Sequence, residues 1–223
     1  SHLEIAGGSM LAITGPSGCG KSPTMDILGL ALACDSAETF CLNASGKTYD
    51  IAGLFHEKQF EKLAWLRRTL IGYVLQTGEL LPYLSVLDNM TLTARMNGIA
   101  KDAAEERACM LAKHLGIGKH VQVFPDALSV GERQRAAIVR ALVPKPSILL
   151  ADEPTAALDP VHAATVLDVL FHLVREEKTT LILITHDTGL LQGKHITTLR
   201  FRLEEEESCV SAILDYRERV YRL

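Results

Sequence analysis

The 223-residue sequence contains no apolar run that approaches the ~20 residues needed for a helix to cross a bilayer. We therefore expect any role at a membrane to depend on a partner protein. The formal net charge is only −4 at pH 7, so the composition gives no reason to expect binding to nucleic acid or to an anionic membrane surface. The five cysteines are odd in number and form no C-x-x-C pair, which argues against a disulfide framework or a zinc site and indicates reduced thiols in the cytosol.

Short apolar segments rich in β-branched residues alternate with longer amphipathic segments along the chain. Strands are predicted at residues 10–14, 71–75, 147–151 and 179–185. Three of them are apolar almost throughout, as expected of a parallel sheet that is covered on both faces. Helices are predicted at residues 21–30, 57–68, 85–97, 101–115, 129–142 and 160–176. This alternation predicts an α/β fold.

The strand pattern stops between about residue 77 and residue 144, where only helical segments remain. We therefore predict a core formed by residues 1–77 and 145–223, with a helical subdomain at residues 78–144 inserted into it. The glutamates at 204–207 are predicted to form a solvated turn. Residues 190–223 show no pattern to which a function is assigned.

A glycine-rich segment follows the first predicted strand and precedes the first predicted helix. It fits the pattern G-x-x-x-x-G-K-[ST] in the structural context that this motif requires. Its residues are Gly15, Pro16, Ser17, Gly18, Cys19, Gly20, Lys21 and Ser22. Glycines let backbone N–H groups surround phosphate oxygens, while Lys21 can reach the β- and γ-phosphates and Ser22 can bind Mg²⁺. A glycine-rich turn with an incidental lysine is the alternative, but the context favours a nucleotide-binding loop.

Two acidic residues, Asp152 and Glu153, directly follow the apolar strand predicted at 147–151. Ligands in open α/β sheets bind at the carboxyl ends of strands. At this position Asp152 can hold Mg²⁺ or its water, and Glu153 can polarise an attacking water. Acids at a strand end are more often simply solvated, but a phosphate loop earlier in the chain favours the catalytic interpretation.

Residues 128–135, with the sequence Leu-Ser-Val-Gly-Glu-Arg-Gln-Arg, resemble the LSGGQ-type signature motif of the ATP-binding cassette (ABC) ATPases. Val130 and Glu132 stand at the positions of its middle glycine and its final glutamine. Gln76 resembles the Q-loop glutamine of this family, and His186 resembles its switch histidine. The order and the separations of these motifs agree with the family pattern.

Residues 157–159, Ala-Leu-Asp, resemble the family's D-loop, and residues 78–90 resemble the lipoprotein-release and macrolide-export subfamily. The resemblance implies a P-loop NTPase (RecA-like) core with an inserted helical subdomain. It implies an ATPase that binds ATP and Mg²⁺, closes as a homodimer on two Mg·ATP, and drives a transmembrane permease subunit at the cytoplasmic face of the membrane. Nucleic acid is not among the partners that it implies.

The resemblance also implies a role for individual residues in such a dimer. The catalytic residues would be Glu153, His186, Gln76 and Lys21. Mg²⁺ would be held by Ser22, Gln76 and Asp152. The nucleotide would contact the phosphate loop and Pro23 of one subunit, and it would also contact residues of the opposite subunit. Those opposite residues would be Ser129, Gly131 and Glu132, with Asp159 also making contact across the dimer.

Each of these residues has a simpler structural interpretation as well. Ser129 and Glu132 have the spacing of a capping box, and Asp159 before a proline is an ordinary helix start. Gln76 alone would most often be a surface residue, and His186 could be a satisfied histidine at a strand end. The family interpretation adds to these and does not exclude them.

Two departures from the family pattern keep other functions open. Pro23 stands where the family usually has Ser or Thr, so one N–H and one hydroxyl are missing near the expected α-phosphate; this could weaken affinity about tenfold or more. The family stacks adenine on an aromatic residue well before the phosphate loop, and none of the 14 residues before Gly15 is Phe, Tyr or Trp. Both departures favour a weakly hydrolysing regulatory module as one alternative. A soluble, non-transport ABC ATPase acting on nucleic acid or ribosomes is the other, although such proteins usually carry two cassettes or a long coiled-coil insertion, and this sequence has neither.

Overall fold

The structure is a computed structural model that describes residues 3–44, 46–206 and 209–215. Its strands are β1 (Met10–Thr14), β2 (Cys41–Ala44), β3 (Lys47–Asp50), β4 (Ile71–Val74), β5 (Ile148–Asp152), β6 (Thr180–Ile184), β7 (Thr197–Glu206) and β8 (Cys209–Asp215). Six of them form one sheet in the order β4-β5-β6-β1-β7-β8, in which only β7 and β8 are antiparallel. The other two, β2 and β3, form an antiparallel hairpin.

The helices are α1 (Lys21–Leu28), α2 (Ile51–His56), α3 (Phe60–Leu70), α4 (Val86–Met96), α5 (Lys101–His114), α6 (Val130–Leu142) and α7 (Pro160–Glu176). Short 3-10 turns lie at Gly118–His120, Pro125–Ala127 and Thr188–Leu191. Among the described residues, no helix combines the length and the apolar character that spanning a bilayer requires.

The sheet is covered by helices on both faces, and successive strand residues alternate between them. Ala12 packs with α4, α5, α6 and α7 in one apolar cluster, whereas Leu11 and Ile13 pack with α1, α2 and α3 in the other. The same alternation separates Leu183 from Ile182 on β6. Strands buried on both faces must be apolar at every position, which explains the uninterrupted apolar runs in the sequence.

The four predicted strands and the six predicted helices are all present; residues 10–14 and 160–176 match at both ends, and the ends of the others differ by no more than three residues. The helix predicted from residue 57 begins instead at Phe60, because Lys58 adopts a left-handed φ of 55° that ends α2 and separates it from α3. All residues from 78 to 144 are described, and they form helices and turns with no strand. Whether they act as a separate subdomain stays a prediction.

The structure also contains elements that were not predicted, namely α2 and the strands β2, β3, β7 and β8. The solvated turn predicted at residues 204–207 is wrong for Glu204, Glu205 and Glu206, which belong to β7; residue 207 lies outside the described residues. These glutamates pair with Ser211, Val210 and Cys209 of β8. The hydrogen-bond ladder to β8 outweighs the low intrinsic strand propensity of glutamate.

Candidate nucleotide-binding site

The predicted phosphate loop and the predicted catalytic residues meet at the carboxyl ends of four neighbouring parallel strands. The phosphate loop (residues 15–22) follows β1, Gln76 follows β4, Glu153 follows β5 and His186 follows β6. Because these strands are adjacent and parallel, their carboxyl ends lie at the same edge of the sheet. There they surround a cavity of about 330 Å³. It is lined by Ser17, Gly18, Gly20, Lys21, Ser22, Pro23, Gln76, Glu153 and His186.

The phosphate loop wraps around the start of α1. Gly20 precedes this helix with φ 87° and ψ 12°, a left-handed conformation that favours glycine. No acidic residue and no side-chain cap occupies the first turn of α1 within the described chain, so the helix N-terminus offers its N–H groups and dipole to an anion. The ammonium group of Lys21, a residue only 6% exposed, donates to the carbonyls of Gly15 (3.1 Å) and Pro16 (2.6 Å).

Not every predicted loop residue reaches the cavity. Within the described chain, Gly15, Pro16 and Cys19 belong to the loop without lining the cavity. Cys19 is buried beneath it. Pro23, in contrast, lines the cavity as the third residue of α1, where it contributes no N–H. The hydroxyl of the next residue, Thr24, does not supply the missing donor, because this hydroxyl donates to the carbonyl of Gly20 (2.9 Å).

Ser22 and Asp152 bring two oxygen ligands together from opposite parts of the sequence. The hydroxyl of Ser22 donates to Oδ2 of Asp152 at 2.8 Å, and Asp152 is buried at the end of β5. A hydroxyl and a carboxylate are the kinds of ligand that Mg²⁺ prefers. The pair therefore fits a magnesium ion beside Ser22 at the cavity wall, although Asp152 is not itself among the described residues that line the cavity.

Glu153 is held by its backbone and by two side chains from neighbouring strand ends. Its φ of 45° is unusual for a residue with a side chain and costs of order 1–3 kcal/mol, while its N–H donates to the carbonyl of Ile184 (3.0 Å). One carboxylate oxygen lies 2.5 Å from Nε2 of His186, and the other accepts from Nε2 of Gln76 at 3.3 Å. The carboxylate is thus fixed in the cavity beside two groups able to bind phosphate or water.

The remaining predicted residues lie outside this cavity. Ser129 caps α6 and forms a complete capping box with Glu132: its hydroxyl accepts from the N–H of Glu132 (3.3 Å), and the Glu132 carboxylate accepts from the N–H of Ser129 (2.9 Å). The hydroxyl of Ser129 also donates to this carboxylate, and chiefly for that reason the pKa of Glu132 lies below its usual value. A Cβ at Gly131 would lie 2.5 Å from Cδ2 of Leu158, so the start of α6 packs closely on residues 157–159.

Asp159 is the N-cap of α7. Its carboxylate accepts from the backbone N–H groups of Val161 and His162, both at 3.2 Å. The bond from the His162 N–H is the main reason why the pKa of Asp159 lies below its usual value. The structural interpretation of Asp159 as a helix start is therefore correct, whatever else this residue contacts.

A second cavity of about 200 Å³ adjoins the first and shares Glu153 and His186 with it. Its other polar lining residues, Thr155, Thr185 and Asp187, were missed from the sequence. Each lies within two residues of a predicted catalytic residue, and that proximity was the available signal.

Comparison with known proteins agrees with this geometry. The family model described as ABC transporter matches residues 1–156. The chain is 36% identical over 208 residues to the lipoprotein-releasing system ATP-binding protein LolD of Treponema denticola, which spans 92% of this chain and 87% of LolD. It is 35% identical over 191 residues to the putative hemin import ATP-binding protein HrtA of Staphylococcus aureus, spanning 86% and 82% of the two chains.

Solved structures of ABC cassettes share the fold. The dimeric structure of MJ0796, described as a bacterial ABC transporter cassette, matches with a TM-score of 0.73 and 30% identity over 89% of this chain and 84% of that one. A dimeric post-hydrolysis state of MJ0796 bound to ADP and Pi matches with a TM-score of 0.72 and 29% identity, over 89% and 83%. The predicted α/β, P-loop NTPase fold is thereby confirmed. The chain belongs to the ABC transporter family, as one of its ATP-binding and ATP-hydrolysing subunits.

Proposed function

We propose that this subunit closes as a homodimer on two Mg·ATP, and that closing and reopening drive a transmembrane permease at the cytoplasmic face of the membrane. The observation that carries the proposal is the separation of the site into two parts. The phosphate loop, Gln76, Glu153 and His186 surround one cavity, whereas the start of α6 lies outside it, with Ser129 and Val130 exposed. A second copy of the chain is the natural source of an α6 N-terminus for this cavity.

In the closed dimer the chain's own residues would act on the γ-phosphate as follows. Lys21 exchanges its bonds to the Gly15 and Pro16 carbonyls for phosphate oxygens, and the start of α1 supplies N–H donors. Three residues, Ser22, Asp152 and Gln76, would hold Mg²⁺. The bound ion would neutralise charge on the β- and γ-phosphates. Ser129, Gly131 and Glu132 of the second copy would close the site from the other side, with Asp159 at the same interface.

Glu153 would take the proton of the water that attacks the γ-phosphorus. The water oxygen bonds to phosphorus, the bond to the bridging oxygen breaks, and ADP and phosphate leave. His186 and Gln76 already contact both Glu153 oxygens, so they would orient this carboxylate and the water. Closure also excludes bulk water, which strengthens each of these electrostatic contacts.

The similarity to LolD, whose name refers to lipoprotein release, supports a permease of that export type as the partner. The sequence of residues 78–90 supports the same subfamily. Residues 78–144 would then move as a helical subdomain between the core, residues 1–77 and 145–223, and this permease. Phosphate release should rise when the permease is co-expressed, and an unchanged rate would count against the coupling.

The experiment that tests the dimer uses Glu153→Gln. We expect phosphate release to fall by about 100-fold or more, because the amide cannot accept the proton, while ATP still binds. Sedimentation should then show a dimer with Mg·ATP and a monomer without it. Glu106→Gln, an exposed change on α5, is the matched control and should keep the wild-type rate. Wild-type phosphate release by Glu153→Gln, or a monomer when calorimetry shows ATP bound, would contradict the proposal.

A further inference from the structure

Gln134 is a buried polar residue on α6, two residues after Glu132 of the capping box. It is only 1% exposed. Its Oε1 has no hydrogen-bond partner among the described residues. Burying a polar atom without a partner costs free energy, so an apolar side chain of the same shape would serve stability at least as well. The polar side chain therefore calls for an explanation other than packing.

The contact that Gln134 makes lies next to the catalytic cavity. Its Nε2 donates to the carbonyl of Leu75 at 3.1 Å. A carbonyl only accepts hydrogen bonds, which fixes the orientation of the amide with nitrogen towards Leu75. The same carbonyl accepts from the N–H of Gly78 at 3.1 Å, so it closes the turn at residues 75–78. Gln76 is the second residue of this turn.

The turn also lies flat against α6. Gly78 has a φ of 57°, and a Cβ there would lie 2.4 Å from Oε1 and 2.9 Å from Cα of Gln134. A side chain at position 78 would therefore be strained by its backbone and would push the turn away from the helix. Gln134 thus holds the turn by a hydrogen bond and by close contact at its two ends.

These contacts form a continuous connection to the catalytic carboxylate. The start of α6 carries Ser129 and Glu132, Gln134 follows on the same helix, and the turn that it holds presents Gln76. The side chain of Gln76 then donates to Glu153. Each step is a direct contact between neighbours rather than an inference from distance.

We propose that Gln134 is a positioning residue that fixes the turn of Gln76 to α6, so that displacement of the α6 N-terminus is transmitted to Gln76 and through it to Glu153. The inference rests on the proposed function, in which α6 serves one ATP site of the dimer and Gln76 serves the other. It assigns to Gln134 the link between the two sites. A small displacement of Gln76 is sufficient for an effect, since misplacing a catalytic group by about 1 Å can cost 100-fold in rate.

The test is Gln134→Met, which keeps the length of the side chain and removes the donor. We expect kcat for ATP hydrolysis to fall about tenfold or more, with the KM for ATP changed less than about twofold, because the phosphate loop is untouched. The matched control is Thr179→Val, which removes another buried side-chain bond, from the Thr179 hydroxyl to the carbonyl of Pro146 (3.0 Å), away from the turn. It should leave kcat unchanged, which would show that loss of a buried side-chain hydrogen bond elsewhere does not lower the rate.

The decisive comparison repeats Gln134→Met in a Gln76→Ala background. If Gln134 acts through Gln76, adding Gln134→Met to the Gln76→Ala protein should alter kcat by less than about twofold. Full kcat in Gln134→Met, or fold losses that multiply in the double variant, would overturn the inference. Wild-type kcat in Gln76→Ala alone would instead remove Gln76 from the proposed function. Should Gln134→Met fail to fold, Gln134→Leu carries the same expectations.

Discussion

Glu153 combines an unfavourable backbone conformation with two side-chain contacts at its carboxylate. Glu153 follows β5 with a left-handed φ, and its side chain lines the cavity. Such strain persists only where the surrounding structure fixes it, here through the bond from its N–H to Ile184. The backbone conformation of Glu153 and the two contacts of its carboxylate therefore together fix the position of this side chain.

Replacing Pro23 tests whether a missing donor beside the phosphate loop weakens ATP binding. Pro23→Thr should tighten ATP binding by about 1–3 kcal/mol, because it restores one N–H and one hydroxyl at the cavity wall. The melting temperature without nucleotide should change little, since threonine in a helix costs less than about 1 kcal/mol. Calorimetry of ATP binding measures the gain, which should also appear as greater stabilisation by added ATP.

Pro23→Ala is the matched control, because it restores the N–H without the hydroxyl. An affinity between those of the wild type and Pro23→Thr would divide the effect between the two groups. Equal ATP affinity in all three proteins would show that donors at position 23 do not contribute to ATP binding. The case for a weakly hydrolysing module would then lose the support that Pro23 gives it.

At the scale of the element, the start of α6 depends on an ionised side chain. The Ser129 hydroxyl, and then the Ser129 N–H, hold the pKa of Glu132 below its usual value. A carboxyl whose pKa is lower in the folded than in the unfolded protein adds stability above its unfolded pKa, near 4.3 for glutamate. That contribution is lost as the pH falls through the lower, folded pKa.

We therefore expect Glu132→Ala to lower the free energy of unfolding at pH 7 by about 1 kcal/mol or less, as for other losses at a helix cap. The difference from the wild type should narrow as the pH falls below about 4 and through the lower pKa of the folded state, where Glu132 becomes protonated in both states. Urea titrations from pH 7 to pH 3 measure it. Glu106→Ala, on an exposed face of α5, controls for loss of a surface charge. A difference that stays constant with pH would remove the charge of Glu132 from the cap.

The elements also show what the sequence could predict. Strands β1, β5 and β6 are buried almost throughout. Burial requires apolar residues, so each of these strands can be recognised in the sequence as a short apolar run. The hairpin of β2 and β3 is short and mostly exposed, so its side chains carry no such pattern. Strand β7 depends on pairing with β1 and β8, and pairing partners cannot be recognised within a short window of sequence.

The site divides in the same way. Lys21 could be predicted from the spacing of its motif and Glu153 from its place after an apolar strand, and the structure places both at the cavity. The hydrogen bond from Gln134 to Leu75 joins a helix to a turn that is far away in the sequence, and no local sequence pattern indicates it. The bonds of Gln76 and His186 to Glu153 likewise exist only once β4, β5 and β6 are side by side.

At the scale of the whole molecule, Arg107 connects α5 to the ends of α6 and α7. Its guanidinium binds both carboxylate oxygens of Glu177 (2.6 and 2.8 Å) at the end of α7. It also donates to the carbonyls of Leu142 and Val143 (both 3.0 Å) at the end of α6. Both charged side chains are largely buried. One side chain thus fastens three helices.

Arg107→Met should lower the free energy of unfolding by about 3 kcal/mol, because it leaves the Glu177 carboxylate largely buried without its partner. Arg107→Lys keeps the charge but cannot place separate donors at the positions of Nε and Nη2, so its loss should be intermediate. Adding Glu177→Leu to Arg107→Met should recover part of the loss by removing the unpaired charge. Urea unfolding measures all four proteins, and wild-type stability in Arg107→Met would exclude this fastening role.

The position of β1 in the middle of the sheet has a consequence during synthesis of the protein. Leu11 pairs with Ile182 on one side and with Thr197 on the other. At about 5–20 residues per second, the ribosome needs roughly 10–35 s to make the chain between β1 and β6. Throughout that time the phosphate loop follows a strand with no neighbours and two open edges. The nascent chain therefore gains no stability from ATP until β6 and β7 have been made and can pair with β1.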